Sequence, residues 1–440
     1  MKNILKYTVV FCITFLSLCL LLFVTAKIPK SAILENLKES TNAFKTRFEI
    51  NELVKRRDYT FTHPYADAML LNIIMCTDTE EPVKSVLEAK YYSKYEDKHI
   101  SYDFNNMIEN NVSGNTEYLR YWHGQISILR PLLIFFNLSE IYIINNIIFW
   151  SLIIALIIIL IKKKHISLLI SFLIGLIMCA APIIPLCLEY SAMFHIMLIV
   201  SIIIVLIESK TKNLGIIFFI TGIITNYFDF LSTEIITVFV PIIFLLGIRY
   251  KEKRLHSLKE AILLSFKLSL LWLTGYSLMW VSKWILASIV LNINAMNLVK
   301  DHIFERLNGE LLYISRYELP FKAMVRNLFT LYPLNIQKNV KKLIFIPITI
   351  LIFELIFIKK KNIKKELWFP LIMLLIGLVP YLRYGILANH SYRHYFLTFR
   401  SQIITIMCLT IAIIYSIDKE ILKKEIKIKG RKNGTNNINT

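Results

Sequence analysis

Apolar runs long enough to form membrane helices recur along this chain, at 8–26, 140–161, 166–181, 192–207, 214–228, 235–248, 261–280, 343–358, 367–382 and 401–417. A hydrocarbon core about 30 Å thick admits only segments whose backbone N–H and C=O groups are bonded internally. The runs therefore predict an all-α, polytopic membrane protein with about ten transmembrane helices. With 56% hydrophobic residues in 440, the length-per-domain rule for soluble chains does not apply, and one integral membrane domain is expected over 1–440. The first run follows Lys2 and Lys6 and ends in "FVTA", which resembles a signal-peptidase site. It is longer than a usual signal core, and an uncleaved helix is expected.

The formal charge of +20 lies mostly in short clusters between the apolar runs. Those clusters never form one continuous basic face with interleaved aromatics, so no nucleic-acid partner is expected. They fit the positive-inside rule instead: "KKKH" (162–165), "ESKTKN" (208–213), "RYKEKRLHSLKE" (249–260), "KKKNIKK" (359–365) and the tail 418–440 fall on one face under strict alternation. Both termini are then cytoplasmic. "QKNVKK" (337–342) is the exception, because the same alternation puts it outside. The external segments are a long loop over 27–139, short ones at 182–193 and 229–234, a second long loop over 281–342, and 389–400. Cys12, Cys19, Cys179 and Cys408 sit in apolar runs, and no C-x-x-C pair occurs, which argues against zinc or a redox pair. Cys76 and Cys187 both fall outside, which leaves one disulfide open.

Candidate chemistry concentrates in the external segments. In "THPYADAMLLNIIMC" (62–76), Pro64 suits the first turn of a helix and Asp67 falls within that turn. Asp67 reads either as a carboxylate complementing the helix dipole or as a general base at the membrane surface. Asp78, Glu80 and Glu81 read as a solvated turn, with a divalent cation as the alternative; no cofactor is expected. In "EYLRYWHGQISILRPLLIFFN" (117–137), Tyr118, Tyr121 and Trp122 suit an interfacial belt, while Arg120, His123 and Arg130 suit lipid phosphates. Glu189, Asp229 and Glu234 add carboxylates on the same face. Lys283, between Trp280 and Trp284, reads as a snorkelling lysine or as a phosphate partner. "KDHIFERL" (300–307) reads as a surface helix without a role.

The segment "NHSYRHYFLTFR" (389–400) holds four potential cations. Plotted on one helix at 100° per residue, His390, Arg393, His394 and Arg400 fall within roughly 120° of arc, opposite Tyr392, Tyr395, Phe396 and Phe399. That face suits an anionic headgroup or a pyrophosphate, and it equally suits an interfacial anchor.

The combination of "YADAMLLN", "RYWHG", "YFDFL" and "HSYRHYFLTFR" with many spans resembles the type C glycosyltransferases and a group of bacterial multi-pass proteins that look related to them. Those enzymes move a sugar from a polyprenyl-phosphate carrier to an acceptor outside the cytoplasm. The resemblance implies a plasma-membrane enzyme with an extracytoplasmic site and a cell-surface glycan or lipid as acceptor. It implies Asp67 as the base, with Arg393, His394, Arg400 and Lys283 around the leaving phosphate and His390 as a proton donor. In better-known members the acid commonly lies soon after the first helix, often paired, whereas Asp67 stands alone about forty residues later. A lipid-linked glycan flippase or transporter and a polysaccharide polymerase or ligase are the rivals. Ion-coupled transporters place charges near mid-bilayer, and here the in-span charges are few, Lys267 and Glu354.

Overall fold

The computed structural model describes residues 2–44, 64–94, 100–208, 213–308, 314–331 and 367–416. Among them the chain is helical and has no strand, and Tyr91 and Thr116 form an isolated antiparallel bridge. The helices are α1 (Lys2–Ala26), α2 (Lys30–Ser40), α3 (Pro64–Cys76), α4 (Pro82–Glu88), α5 (Ile100–Asn110), α6 (Ile126–Leu132), α7 (Leu138–Lys162), α8 (Ile166–Met178), α9 (Leu188–Ile207) and α10 (Leu214–Phe228). After these come α11 (Ile236–Lys251), α12 (Leu258–Leu291), α13 (Ala295–Asn308), α14 (Leu319–Leu328), α15 (Trp368–Gly377), α16 (Val379–Ile386), α17 (Ala388–Arg393), α18 (Tyr395–Thr398) and α19 (Ile403–Ser416).

Six helical stretches among the described residues are long and apolar enough to cross a membrane: Ile4–Ala26, Leu138–Lys162, Leu188–Ile207, Leu258–Leu291, Trp368–Ile386 and Tyr395–Ser416. The chain is a helical membrane protein, but the ten spans expected from the apolar runs are not all matched. The runs at 166–181, 214–228 and 235–248 form helices of 13, 15 and 16 residues, short of the about 20 that a span needs. Hydropathy does not separate a helix that is apolar because it meets lipid from one that is apolar because protein surrounds it. Helix α11 is of the second kind, buried on all sides from Ile242 to Ile248. The run at 343–358, the "QKNVKK" cluster and the tail 418–440 lie outside the described residues.

Local sequence explains the helix ends that matter. Helix α7 begins with a capping box, in which the Asn137 side chain accepts from the N–H groups of Ser139 and Glu140 while Glu140 accepts from the N–H of Asn137. Helix α12 starts on Ser257, whose hydroxyl accepts from the N–H of Glu260, and stops at Asn292 in the left-handed region. Its 34 residues span about 50 Å at 1.5 Å per residue. The boundary expected at 281 therefore falls inside a continuous helix, because Trp284 and Ala287 keep packing, on Leu119, Ala295 and Val299.

Helices α10 and α12 approach at Gly222 and Gly275, where an added Cβ would collide with the main-chain carbonyl of Trp272 or of Phe219. Helix α1 seats Tyr7 against Phe219 at 5.1 Å and Phe15 against Trp122 at 5.9 Å, ring centre to ring centre. At one end of the bundle Glu208 pairs with Arg249 at 2.5 Å and with Arg254, Lys163 donates to the Val205 carbonyl at 2.6 Å, and Lys251 donates to that of Lys164. Glu189 begins the same helix that ends beside Glu208, so the acidic and histidine residues discussed next gather at the opposite end.

Candidate functional site

Two cavities adjoin at Arg306. The smaller, of 70 Å³, is lined by Tyr65, Tyr118, Glu189, Arg306, His390 and His394 with Phe230 and Phe396. The larger, of 390 Å³, is almost wholly apolar in its lining, with Trp280, Val299, Ile303 and Leu382 among its walls. Its charged residues are arginines: Arg120, Arg306 and Arg383.

Glu189 lies in the first turn of α9, is 8% exposed, and has no hydrogen bond or ion pair to any described residue. A buried carboxylate without a partner is costly, and such groups mark sites where something else supplies the partner. Asp67 is placed differently. It is fully buried, lines neither cavity, and is already engaged: it accepts from the Tyr142 hydroxyl at 2.7 Å and from the Leu188 N–H at 3.0 and 3.1 Å. Burial pushes its carboxyl up to about 7, against the lowering effect of those hydrogen bonds. Asp67 thus binds the main chain at the start of α9 and fixes the turn that carries Glu189.

The stretch 389–400 is not one helix. Helix α17 ends at Arg393, His394 breaks the hydrogen-bond ladder at φ −102° and ψ 30°, and a 3-10 turn, Phe399–Gln402, follows the short α18. The single-helix wheel therefore fails, and its four cations part company. His390 is buried, its Nε2–H donates to the Leu231 carbonyl at 2.8 Å, and its Nδ1 accepts from Arg306 at 2.6 Å. Only the neutral Nε2–H tautomer satisfies both contacts. Burial lowers its basicity strongly, reinforced by His394, Arg306 and Arg383. The His394 ring lies 4.7 Å from that of His390, tilted by 42°, and burial with Arg306 nearby lowers its basicity to about 4. Arg393 points outward to Glu305 at 3.5 Å and lines neither cavity. Arg400 is fully buried over the Tyr190 ring at 4.2 Å and donates to the Phe396 carbonyl at 2.7 Å. The aromatic face divides as well: Tyr392 and Tyr395 sandwich Arg326, Phe396 lines the smaller cavity, and Phe399 is core.

The other candidates are also held in place by the fold. Asp229 accepts from Tyr276 at 2.7 Å and from the Ser232 N–H at 3.3 Å, and burial beside Glu234 raises its carboxyl. Glu234 forms a buried pair with Arg383 at 2.7 Å. Arg383 also donates to the carbonyl of Leu231, a residue at φ 62°. Lys283 is buried, donates to the Val86 and Leu87 carbonyls at 3.1 and 2.9 Å, and so caps α4 rather than facing a headgroup. Tyr121 and Trp122 are buried instead of forming an interfacial belt, and His123 and Arg130 are buried against the main-chain carbonyls of Tyr118, Ile74 and Ile28 instead of meeting lipid phosphates. Asp78 caps its own turn, Glu81 pairs with Lys84 at 2.9 Å, and no cluster suited to a metal ion occurs among the described residues. Cys76 and Cys187 are free thiols.

Arg306 is the residue the sequence reading passed over. Val299, Ile303 and Leu307 form an i, i+4, i+8 apolar stripe, and Arg306 lies on it. An arginine on the apolar face of a short amphipathic helix was the available signal. Arg383 carried one as well, as an ionisable group within an apolar span.

No family model, no curated protein and no solved structure matches this chain.

Proposed function

We propose that this protein transfers a sugar from a polyprenyl-phosphate donor to a hydroxyl acceptor at the extracytoplasmic face of a plasma membrane. The observation that carries the reading is Glu189: a buried carboxylate with no partner among the described residues, in a cavity that adjoins a larger apolar one at Arg306. A donor of this kind needs both surroundings, an apolar volume for the prenyl chain and a cation at the phosphate.

In this reading Glu189 is the base. The acceptor O–H gives its proton to the Glu189 carboxylate while its oxygen forms the bond to the anomeric carbon. The bond from that carbon to the phosphate oxygen breaks, and its electron pair leaves on the polyprenyl phosphate. Charge grows on that phosphate in the transition state, where a preorganised guanidinium stabilises most. Arg306 suits the task because His390, itself fixed by Leu231, orients it, and no carboxylate pairs with it among the described residues. Arg120, whose Nε has no partner, is the second candidate. Asp67 becomes a positioning residue, and Arg393 and Lys283 drop out of the site.

The orientation rests on the shared end of Lys163, Glu208, Lys251 and Arg254, which the positive-inside rule makes cytoplasmic. A cysteine-free chain with a single cysteine at position 80 should then be labelled from outside, and one at 362 should not.

The deciding experiment is transfer of labelled sugar from polyprenyl phosphate by purified protein. Glu189→Gln should lose at least about a hundredfold in kcat, within the usual range for a lost general base. A Glu189→Gln protein that is folded and transfers at the parent rate overturns the reading.

A further inference from the structure

A third cavity, of 160 Å³, lies between α6, α7 and α9 on the far side of the first turn of α9. Leu188 and Phe228 line it, whereas Glu189 and Phe230 line the 70 Å³ cavity, so one thin wall separates the two. Its mouth is at Ile128 and Ile148, both about half exposed, Ile148 lying well inside α7, whose exposed flank is apolar at Ile143, Ile147, Ile148 and Ile154. Its inner wall carries Gln125, Asn145, Ser191 and His195, and no acid, lysine or arginine lines it.

Two polar atoms there lack partners. Gln125 is 4% exposed, its side-chain amide N–H donates to the Phe228 carbonyl, and its Oε1 has no donor. The amide cannot be turned round, because that would set Oε1 against the Phe228 carbonyl oxygen. Nε2 of His195 is likewise buried without a partner. Asn145, by contrast, is engaged, donating to the Pro185 carbonyl at 2.6 Å and to the Ser191 hydroxyl at 3.2 Å. An orphaned acceptor at 4% exposure, inside a wall that faces hydrocarbon, leaves a desolvated oxygen whose cost a donor from lipid removes.

We infer that this cavity binds the head of a neutral, hydroxyl-bearing lipid of the diacylglycerol type, the hydroxyl donating to Gln125 Oε1 and meeting His195 Nε2. The absence of any lining cation disfavours a phosphate head, whose charge would be buried unpaired. The volume admits a glycerol-sized head and leaves the chains outside, along Ile128 and Ile148. Leu188 holds the bound hydroxyl away from Glu189, so this lipid is not the acceptor and the inference does not depend on the proposed transfer reaction.

The test uses the full chain in phosphatidylcholine nanodiscs doped with a diacylglycerol that carries a diazirine next to its glycerol. After irradiation, cross-links should map to 125–148 and 188–195, and excess unlabelled diacylglycerol should compete while phosphatidic acid should not. Gln125→Leu should cut labelling there about fivefold, as expected for one lost neutral hydrogen bond. Because that change also removes the N–H to Phe228, Ile148→Trp provides a second variant at a lipid-exposed position, and it should block the mouth to a similar degree. Labelling spread evenly over the lipid-facing helices, competition by phosphatidic acid equal to that by diacylglycerol, or labelling unaltered by Ile148→Trp overturns the inference.

Discussion

The Asp67 carboxylate holds the main-chain N–H of Leu188 with both of its oxygens, at 3.0 and 3.1 Å, one residue before Glu189. The contact joins α3 to the start of α9 across about 120 residues of sequence and sets where the Glu189 side chain emerges. A carboxylate so engaged is poorly suited to accept a further proton donor, while its neighbour faces a cavity with no partner. Asp67→Ala should cost about 1–3 kcal/mol of stability, the penalty for leaving a buried donor unmade. It should also lower transfer without moving the acid limb of the pH–rate profile, which the proposed role assigns to Glu189. Disappearance of that limb in Asp67→Ala, with Glu189 intact, would restore Asp67 as the base.

Stability should also depend on pH through Asp67. Its carboxyl is raised from 3.8 to about 7, mainly by burial. A group whose pKa is higher in the folded state favours folding while protonated in both states and loses that contribution as pH rises towards the folded value. The unfolding midpoint in detergent should therefore fall between pH 4 and pH 7. Asp67→Asn, which keeps the shape and cannot ionise, should flatten that slope. An unchanged slope would show that Asp67 does not titrate as its surroundings imply.

Arg306 and Arg393 offer a comparison within one neighbourhood. Arg306 is fixed by His390 and lines both cavities; Arg393 is about half exposed and meets Glu305 at 3.5 Å. Arg306→Ala should weaken donor use about 10- to 100-fold in kcat/KM, in line with about 1.5–3 kcal/mol for a charge-assisted contact. Arg393→Ala should change it by less than about threefold, as for exposed ion pairs generally. Steady-state kinetics with labelled donor tests both, and the reverse order would return the phosphate to the 389–400 segment.

The helical, membrane-spanning class was legible because apolar runs report it directly. What was not legible followed from two physical confusions. Helices α10 and α11 are apolar because protein encloses them, whereas α8 is a 13-residue helix with an exposed apolar stripe at Ile166, Ile170, Ile174 and Ile177, and composition reads all three alike as spans. The wheel of 389–400 assumed one unbroken helix, but His394 ends α17, which sends Arg393 outward and Arg400 inward. Glu189 was legible as a carboxylate at the end of an apolar run, "LEYSAM", on the same expected face as Asp67 and Asp229. Sequence could not say which of Asp67 and Glu189 was already occupied, since that depends on Tyr142 and Leu188 arriving from distant elements. Arg306 was legible in principle, as a cation on an apolar stripe.

Lys283 illustrates how a buried cation can be structural. Its ammonium donates to the Val86 and Leu87 carbonyls and sits 5.4 Å from the Trp122 ring centre, tying the end of α4 to α12. The last carbonyls of a helix have no partner within it, so a side chain that reaches them from another helix satisfies groups that burial would otherwise strand. Lys283→Met preserves the stem and removes both bonds. It should destabilise the folded protein by about 1–3 kcal/mol, because two carbonyls are left unpaired and this outweighs the relief from no longer burying an ammonium. Transfer per folded molecule should stay within about twofold of the parent, since Lys283 lines neither cavity. Thermal melting followed by intrinsic fluorescence gives the first quantity, and transfer by the monodisperse fraction gives the second. A variant that melts like the parent yet loses transfer would mean that the lysine acts on the substrate after all.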